Sequence, residues 1–433
     1  MEQAQKRRLI PAQSDEIPGW PDGPAITAQA AIVMEADTGT VLYAKNIHEQ
    51  LYPASTTKIL TCLLAAEESS MTEEVTFSET AVLSIPPGSS SIGIDPGEML
   101  TMEQALYGIL VGSANEVANG VAEHVSGSIP AFVERMNKRA KELGCADSHF
   151  ANTNGLPDST HVTSAYDLAV IARAFFAHPV LARIAGTPSF HFSQTAKQKD
   201  DFTIRTKNKL VNGEIPCEGI IGGKTGYTDL ARETLVTCAE RDGMRLICVV
   251  LKEESPAQFT DTVTLLDYGF HNFRRAVVAE EETRFLPLEP EFSSSFDIFG
   301  DSGQILSFDP SAGVVLPAGI DIGETETAIR YGDGVFACID YSWHGVLLGS
   351  VQIRGNALGE PVGTSGDEAP DMVTIRLFKV MPVVYGAAGL FCLVAWAVSF
   401  IRSYHFGGLS RAERRRYRRE RRNRRKEGLH LSD

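Results

Sequence analysis

From Ile59 to Ala66 every residue except Thr61 is apolar or cysteine, and the run is entered through Pro53-Ala54-Ser55-Thr56-Thr57-Lys58. A helix without a polar face has to be buried nearly all round, so this one belongs in the middle of a domain and takes Lys58 in with it. Residues three apart are neighbours on a helix surface, which puts the Ser55 hydroxyl within reach of the Lys58 amine. Burial disfavours the charged form of an amine. A neutral Lys58 can take the proton of Ser55, otherwise a poor nucleophile, while N–H groups at the start of the helix face any oxyanion that forms. The spacing suggests acyl transfer. The plainer alternative is an N-capping serine followed by a surface lysine, and average usage gives on the order of one Ser-x-x-Lys by chance in a chain of this length.

With 433 residues, 43% hydrophobic and 22% charged, the chain has room for roughly two to three globular domains. Its charge is unevenly spread. The 12 basic and 4 acidic residues from Arg402 to Asp433 give that end +8, against a formal −15 for the whole, which leaves −23 for the rest. An acidic body argues against nucleic acid as a partner, and an Arg-rich end beside an apolar run fits an anionic membrane face. The 7 cysteines are scattered without a Cys-x-x-Cys, and none of the 10 histidines falls in an HExxH. No zinc site, cofactor or disulfide framework is expected. Cys238 and Cys248 flank the turn at Arg241-Asp242-Gly243, so a hairpin there brings them near each other, with the lack of any framework counting against a bond.

Residues 1–25 read as an extended leader, polar and without an apolar stretch that could form a signal-peptide core. Two apolar runs around Asp37-Thr38-Gly39 read as a β-hairpin between Ala30 and Asn46. Thr101 and Gln104 resemble a capping box for a helix through Val111. Gly112-Ser113 interrupts it and leaves Ser113-Ala114-Asn115 on an exposed connection before a helix from Glu116 to Val125. Ser128 and Pro130 open another helix that Gly144 closes, and a further one runs from about Thr163 to Ala177. After Lys209 the period changes, with Gly219 to Gly226, Glu233 to Ala239 and Arg245 to Lys252 reading as strands. Strands that bracket a helical middle predict an α/β domain over 26–273, an antiparallel sheet with a separate helical lobe. Short alternating runs over 274–355 predict a small all-β domain, and 356–379, rich in Gly, Pro and acid, a linker. Val380 to Ile401 is a run of 22 residues without a charge, long enough for a transmembrane helix across about 30 Å of hydrocarbon. An Arg-rich cytoplasmic tail, 402–433, completes the chain.

Ser55-Thr-Thr-Lys58, Ser113-Ala-Asn115 and Lys224-Thr-Gly226 each occur once, in this order, within the strand-bracketed domain. This ordered set resembles the Ser-x-x-Lys, Ser-Asp-Asn and Lys-Thr-Gly signature of class A β-lactamases and penicillin-binding proteins. With Tyr52 to Lys58, Asn154-Gly-Leu-Pro-Asp158, Thr163 to Leu168 and Gly223 to Thr228, the chain resembles the low-molecular-mass penicillin-binding proteins, the serine D-alanyl-D-alanine carboxypeptidases. The resemblance covers about Ile26 to Asn272, and more loosely the β domain and membrane anchor. Its pattern departs at Arg232-Glu233, where a small residue and an aromatic are usual, and at Asn154, where His is frequent.

The resemblance implies a β-lactamase/transpeptidase-like fold and a peptidoglycan stem peptide as substrate, with β-lactams as inhibitors. It implies Ser55 as nucleophile, Lys58 as base, Ser113 as proton relay, and Asn115 orienting the substrate amide. It also implies Lys224 and Thr225 on the terminal carboxylate, Gly226 for close approach, and an oxyanion hole from the backbone N–H groups of Ser55 and Tyr227. A β-lactamase shares the motifs; its class A members add a deacylating Glu, and no Glu occurs between Cys145 and Gly213. A catalytically silent wall-binding protein is the other alternative. The positive-inside rule puts the Arg-rich tail in the cytoplasm and the body outside. Export of such a body needs a signal that residues 1–25 do not supply, so a cleavable one is expected upstream of Met1.

Overall fold

The computed structural model describes residues 2–284, 304–308, 311–332 and 335–357. The linker from residue 358, the apolar run 380–401 and the tail 402–433 lie outside the described residues. Among the described residues no single helix is long and apolar enough to cross a membrane.

The first residues differ from an extended leader. Glu2–Arg8 form a helix, α1, with Lys6, Arg7 and Arg8 in its last turn, where positive charge suits the helix dipole, and a 3-10 turn follows at Gln13–Glu16. The segment is docked by partners far along the chain. Buried Lys45 Nζ donates to the carbonyls of Arg7 and Ile26, both at 2.8 Å. Arg7 pairs with Glu254 at 3.2 Å, and Trp20 packs on Phe273 with ring centroids 5.1 Å apart.

β1 (Ala30–Glu35) and β2 (Val41–Lys45) form the expected hairpin, and α2 (Lys58–Glu68) carries the apolar run. The helical lobe comes next. It opens with β3 (Glu74–Thr76), α3 (Glu79–Leu83) and β4 (Met99–Thr101), and continues through α4 (Met102–Leu110), α5 (Asn115–Ser126), α6 (Ile129–Glu142), α7 (Ala165–Phe176) and α8 (Pro179–Ala185). The α4 capping box is formed: Gln104 N–H donates to Thr101 Oγ1 at 3.2 Å, and Thr101 N–H to Gln104 Oε1 at 2.9 Å. Ser128 caps α6, and Gly144 follows its last turn with φ +92°, a conformation open to glycine at little cost.

A short hairpin, β5 (Ser189–Phe192) with β6 (Phe202–Arg205), precedes β7 (Ile220–Thr228), β8 (Arg232–Arg241), β9 (Met244–Glu253) and α9 (Ala257–Asn272). The main sheet has the order β2-β1-β9-β8-β7 and is antiparallel throughout, so strands from both ends of the domain share it. Helix α7 packs on β1 and β9, while α9 packs on β8 and β9. Covered in this way, all six residues of β1 are buried instead of alternating with solvent-facing ones. Thr237 pairs with Cys248 and Cys238 with Ile247. The one-residue offset sends the two cysteine side chains to opposite faces, and all six described cysteines are free.

The two edges of the sheet are treated differently. At β2, Ala44 N–H donates to Ser14 Oγ at 3.4 Å, Asn46 N–H to Gln13 Oε1 at 2.8 Å, and Leu42 O accepts from Trp20 Nε1 at 2.8 Å. At the other edge, the first residues of β7 lie against α8, where a Cβ on Gly222 would stand 2.8 Å from the Ala185 carbonyl carbon. From Gly223 onward β7 borders a cleft.

Beyond α9 the described residues form β10 (Phe273–Val277), a single helical turn α10 (Val278–Glu281), β11 (Gln304–Phe308), β12 (Gly313–Pro317), β13 (Glu326–Gly332), β14 (Val335–Trp343) and β15 (Val346–Ala357). β10 pairs with β12, and the others form a four-stranded sheet in the order β11-β15-β14-β13. Strand β15 runs to Ala357, two residues into the stretch read as linker.

Candidate active site

Ser55 sits in a 3-10 turn, Ala54–Thr57, that runs directly into α2 at Lys58. Threonine hydroxyls hold the turn: Thr56 Oγ1 donates to Pro53 O at 2.6 Å, Thr57 Oγ1 to Ala54 O at 2.8 Å, and Thr234 Oγ1 of β8 to Pro53 O at 2.9 Å. Ala54 has φ +49°, which costs a residue with a Cβ about 1–2 kcal/mol, so its surroundings must enforce it. His161 is part of that enforcement. Its Nδ1 accepts Ala151 N–H at 3.0 Å, so Nε2 carries the proton and donates to Thr57 Oγ1 at 2.8 Å. Burial lowers the His161 pKa to about 4, which keeps the ring neutral. Gly155, at φ +85°, also presses on the turn, since a Cβ there would lie 1.7 Å from Ala54 O.

Lys58 is fully buried. Its Nζ lies 2.9 Å from Ser55 Oγ, 2.6 Å from Asn115 Oδ1 and 2.8 Å from the Asn154 carbonyl. Two of these partners only accept. A neutral amine has two N–H groups, which Asn115 and Asn154 consume, and one lone pair, which is left for the Ser55 hydroxyl. Desolvation, and next the charge of Lys224, push its pKa well below the ordinary lysine value, which favours that neutral form.

The break between α4 and α5 is not an exposed connection. Asn115 is buried and its N–H donates to Ser90 O at 2.9 Å, because the loop before β4 folds over it. Ser113 itself has φ +59°, and its Oγ receives Lys224 Nζ at 3.0 Å. Lys224 Nζ also donates to Thr225 O at 2.8 Å, and burial lowers its pKa to about 7. Next on β7, Gly226 is pressed against the nucleophile turn: a Cβ there would lie 2.8 Å from Ser55 N and 2.4 Å from Thr234 Oγ1. The Tyr227 amide follows. Ser55, Ser113, Asn115, Lys224, Thr225, Gly226 and Tyr227 all line one cleft of about 460 Å³.

Both departures from the family pattern are accommodated. Arg232 takes φ +55° in the β7–β8 turn and pairs with Glu254 at 2.6 Å, and the ladder stays in register with Thr228 opposite Arg232 and Tyr227 opposite Glu233. Asn154 contributes its main-chain carbonyl to Lys58, a function indifferent to its side chain. Asn154, His161 and Gly155 support the site from residues outside the three motifs. The Asn154-Gly-Leu-Pro stretch was the available signal for two of them.

A sequence profile of the family Peptidase_S11, described as D-alanyl-D-alanine carboxypeptidase, matches residues 18–255. The chain is 37% identical over 252 residues to the D-alanyl-D-alanine carboxypeptidase DacF of Bacillus subtilis, covering 57% of this chain and 63% of that protein. It is 36% identical over 256 residues to DacB2 of Mycobacterium tuberculosis, covering 58% of this chain and 84% of that protein. The match to the Bacillus protein thus spans less than two thirds of its length. The crystal structure of a D-alanyl-D-alanine carboxypeptidase from Mycobacterium tuberculosis is similar with a TM-score of 0.53 and 34% identity, over 61% of this chain and 96% of that one. Penicillin binding protein 6B of Escherichia coli is similar with a TM-score of 0.59 and 25% identity, over 78% of this chain and 98% of that one. With the profile, the relatives and the penicillin-binding architecture in agreement, the chain belongs to the D-alanyl-D-alanine carboxypeptidase family Peptidase_S11.

Proposed function

We infer that this protein is a serine D-alanyl-D-alanine carboxypeptidase that removes the terminal D-alanine from peptidoglycan stem peptides through an acyl-enzyme on Ser55. The observation that carries this reading is the buried Lys58 amine, 2.9 Å from Ser55 Oγ and held by two groups that only accept, Asn115 Oδ1 and the Asn154 carbonyl. Lys58 takes the hydroxyl proton as Oγ bonds to the carbonyl carbon between the two D-alanines. The N–H groups of Ser55 and Tyr227 receive the oxyanion, at a cost in rate of about 10²–10³ if one is lost. The proton passes through Ser113 to the leaving amine, the C–N bond breaks, and D-alanine departs. Water, deprotonated by Lys58, then hydrolyses the ester. Asn115 orients both Lys58 and the substrate amide, while Lys224 and the Thr225 hydroxyl hold the terminal carboxylate. A β-lactam enters by the same attack and stays as a stable ester. Mass analysis of a stem pentapeptide after incubation tests the reading: loss of one alanine is expected, and an unchanged mass would sink it.

Lys224→Ala should raise KM for peptides with a free terminal carboxylate by roughly 10- to 100-fold, the range for a charged hydrogen bond, and affect amidated peptides far less. Equal effects on both would show that Lys224 does not bind the carboxylate.

The same two lysines set the pH profile. Lys58 acts when neutral, so activity falls as pH drops through its lowered pKa. Lys224 acts when charged, with a pKa of about 7 in the free enzyme, so kcat/KM for carboxylate substrates falls as pH rises past that value. A bound carboxylate stabilises the charge, which moves the alkaline limb upward in kcat. Amidated peptides should lack that limb in kcat/KM; an identical limb for both substrates would remove Lys224 from the account.

For location, we propose a single C-terminal span over 380–401 with the Arg-rich tail in the cytoplasm and the catalytic body outside, supported by the charge asymmetry of the sequence. Protease added to intact cells should then digest the body and leave a small fragment carrying residues 411–433. A protected body with a digested tail would reverse the orientation.

A further inference from the structure

A single carboxylate joins the N-terminal helix to the edge of the cleft. Glu254, the residue after β9, accepts from Arg7 Nη2 of α1 on Oε1 at 3.2 Å, and from Arg232 Nη2 and Nε on Oε2 at 2.6 and 3.2 Å. Arg232, and after it Arg7, hold the Glu254 carboxyl below the ordinary carboxylate range. Neither cation belongs to the family pattern: Arg7 precedes the matched residues 18–255, and Arg232 stands where the pattern departs. The two sides of the bridge are unequal. Arg7 is buried and its carbonyl is taken by Lys45; a buried guanidinium deprived of its acid is costly, so Glu254 is kept on α1. Arg232 is half-buried and sits at φ +55°, a conformation that favours glycine, where the turn from β7 enters β8. It stands across the ladder from Thr228, with its guanidinium carbon 6.0 Å from the centre of the Tyr227 ring. Strand β7 is at the edge of the sheet and has β8 alone as a ladder partner, so this turn fixes its far end.

We propose that Arg7, Glu254 and Arg232 form a tether from α1 to the β7–β8 turn that holds the Tyr227 amide at its place beyond Gly226, which makes Arg7 and Arg232 positioning residues for acylation of Ser55. The proposal rests on the carboxypeptidase reading, in which that amide receives the oxyanion. A donor of this kind has to be held within about 0.5 Å of its productive position, and an edge strand with one partner needs a second anchor to stay there. The tether also accounts for an arginine at φ +55°: glycine would relax the backbone at that position and release the turn from Glu254.

The test is the burst of Ser55 acylation by a chromogenic β-lactam, measured on the full chain with melting curves alongside. Arg232→Gly should melt close to the unmodified protein, the relaxed backbone offsetting the lost ion pair, yet acylate about 3- to 10-fold more slowly. The loss should fall on the limiting rate of acylation and not on the concentration that half-saturates it. Arg7→Met, which keeps a buried stem of similar length, should slow the burst by a similar factor, and Arg7→Lys, whose amine can still meet Glu254, should recover most of it. In the Arg232→Gly background Arg7→Met should have no further effect on the burst, whatever it does to the melting curve, because its route to the cleft is already cut. An unchanged burst in either single variant, or an equal slowing by Arg7→Met in both backgrounds, overturns the tether alone. No covalent adduct on the unmodified protein overturns the carboxypeptidase reading and the tether's part in acylation with it.

Discussion

Ser55→Ala is expected to abolish both D-alanine release and covalent labelling by penicillin, with a loss on the order of 10⁶ in kcat, as for other activated serines. The variant should fold normally, because the Ser55 hydroxyl takes no part in holding its own turn. That work falls to Thr56, Thr57 and Thr234 through the carbonyls of Pro53 and Ala54. Removing Oγ deprives only the Lys58 amine of a partner, at the mouth of a wet cleft where water can replace it. Loss of labelling with an unchanged melting curve would therefore report chemistry, not folding. Labelling at the normal rate would transfer the nucleophile to another residue and end the mechanism.

Gly226→Ala should lower the rate of Ser55 acylation by about 10²–10³ with a smaller change in KM, the signature of lost transition-state stabilisation. The added methyl carbon would lie 2.4 Å from Thr234 Oγ1, 2.8 Å from Ser55 N and 3.1 Å from Ala54 Cβ. None of these can withdraw cheaply: Thr234 is the clamp on Pro53, and Ser55 N–H is one of the two oxyanion donors proposed above. Either the turn loosens or β7 moves off it, and both separate the Tyr227 amide from the Ser55 amide. Burst kinetics with a chromogenic β-lactam measure acylation directly. A wild-type burst in this variant would show that the two amides do not act together.

Ser55 and Lys58 were legible in the sequence because everything that couples them is local: a three-residue spacing and an apolar run that demands burial. Lys224 and Ser113 were legible only through the resemblance, since nothing in their spacing says that residues 111 positions apart meet at 3.0 Å. The Asn154-Gly-Leu-Pro stretch marks a place in the chain, but neither the part its Asn154 carbonyl plays nor the ring of His161 is legible from pattern. A main-chain acceptor leaves no trace in residue identity, and a buried histidine looks the same whether it braces a strained turn or fills a core. Residues 2–16 were misread for a related reason. Their polar composition suggests solvent, yet the Arg7 guanidinium pairs with Glu254 beyond β9, and Ser14 and Gln13 accept the backbone N–H groups of Ala44 and Asn46. Arg232-Glu233 departs from the family pattern, and the β7–β8 pairing continues through it while the β8–β9 register shifts between Glu233 and Leu235.

The unequal edges of the main sheet bear on what can pair with it. An open strand edge is a template for any extended backbone, and a sheet with two of them invites copies of itself to pair in rows. Here Ser14, Gln13 and Trp20 occupy the polar groups along β2, so self-pairing through that edge is blocked. What stays available is the short stretch of β7 beside Ser55, walled by the Ser113 turn and ended by α8. A narrow slot of that length admits a slender peptide terminus and turns away a folded partner. Among the described residues, the main sheet thus offers an extended backbone the cleft side of β7, while its β2 edge is closed to copies of itself.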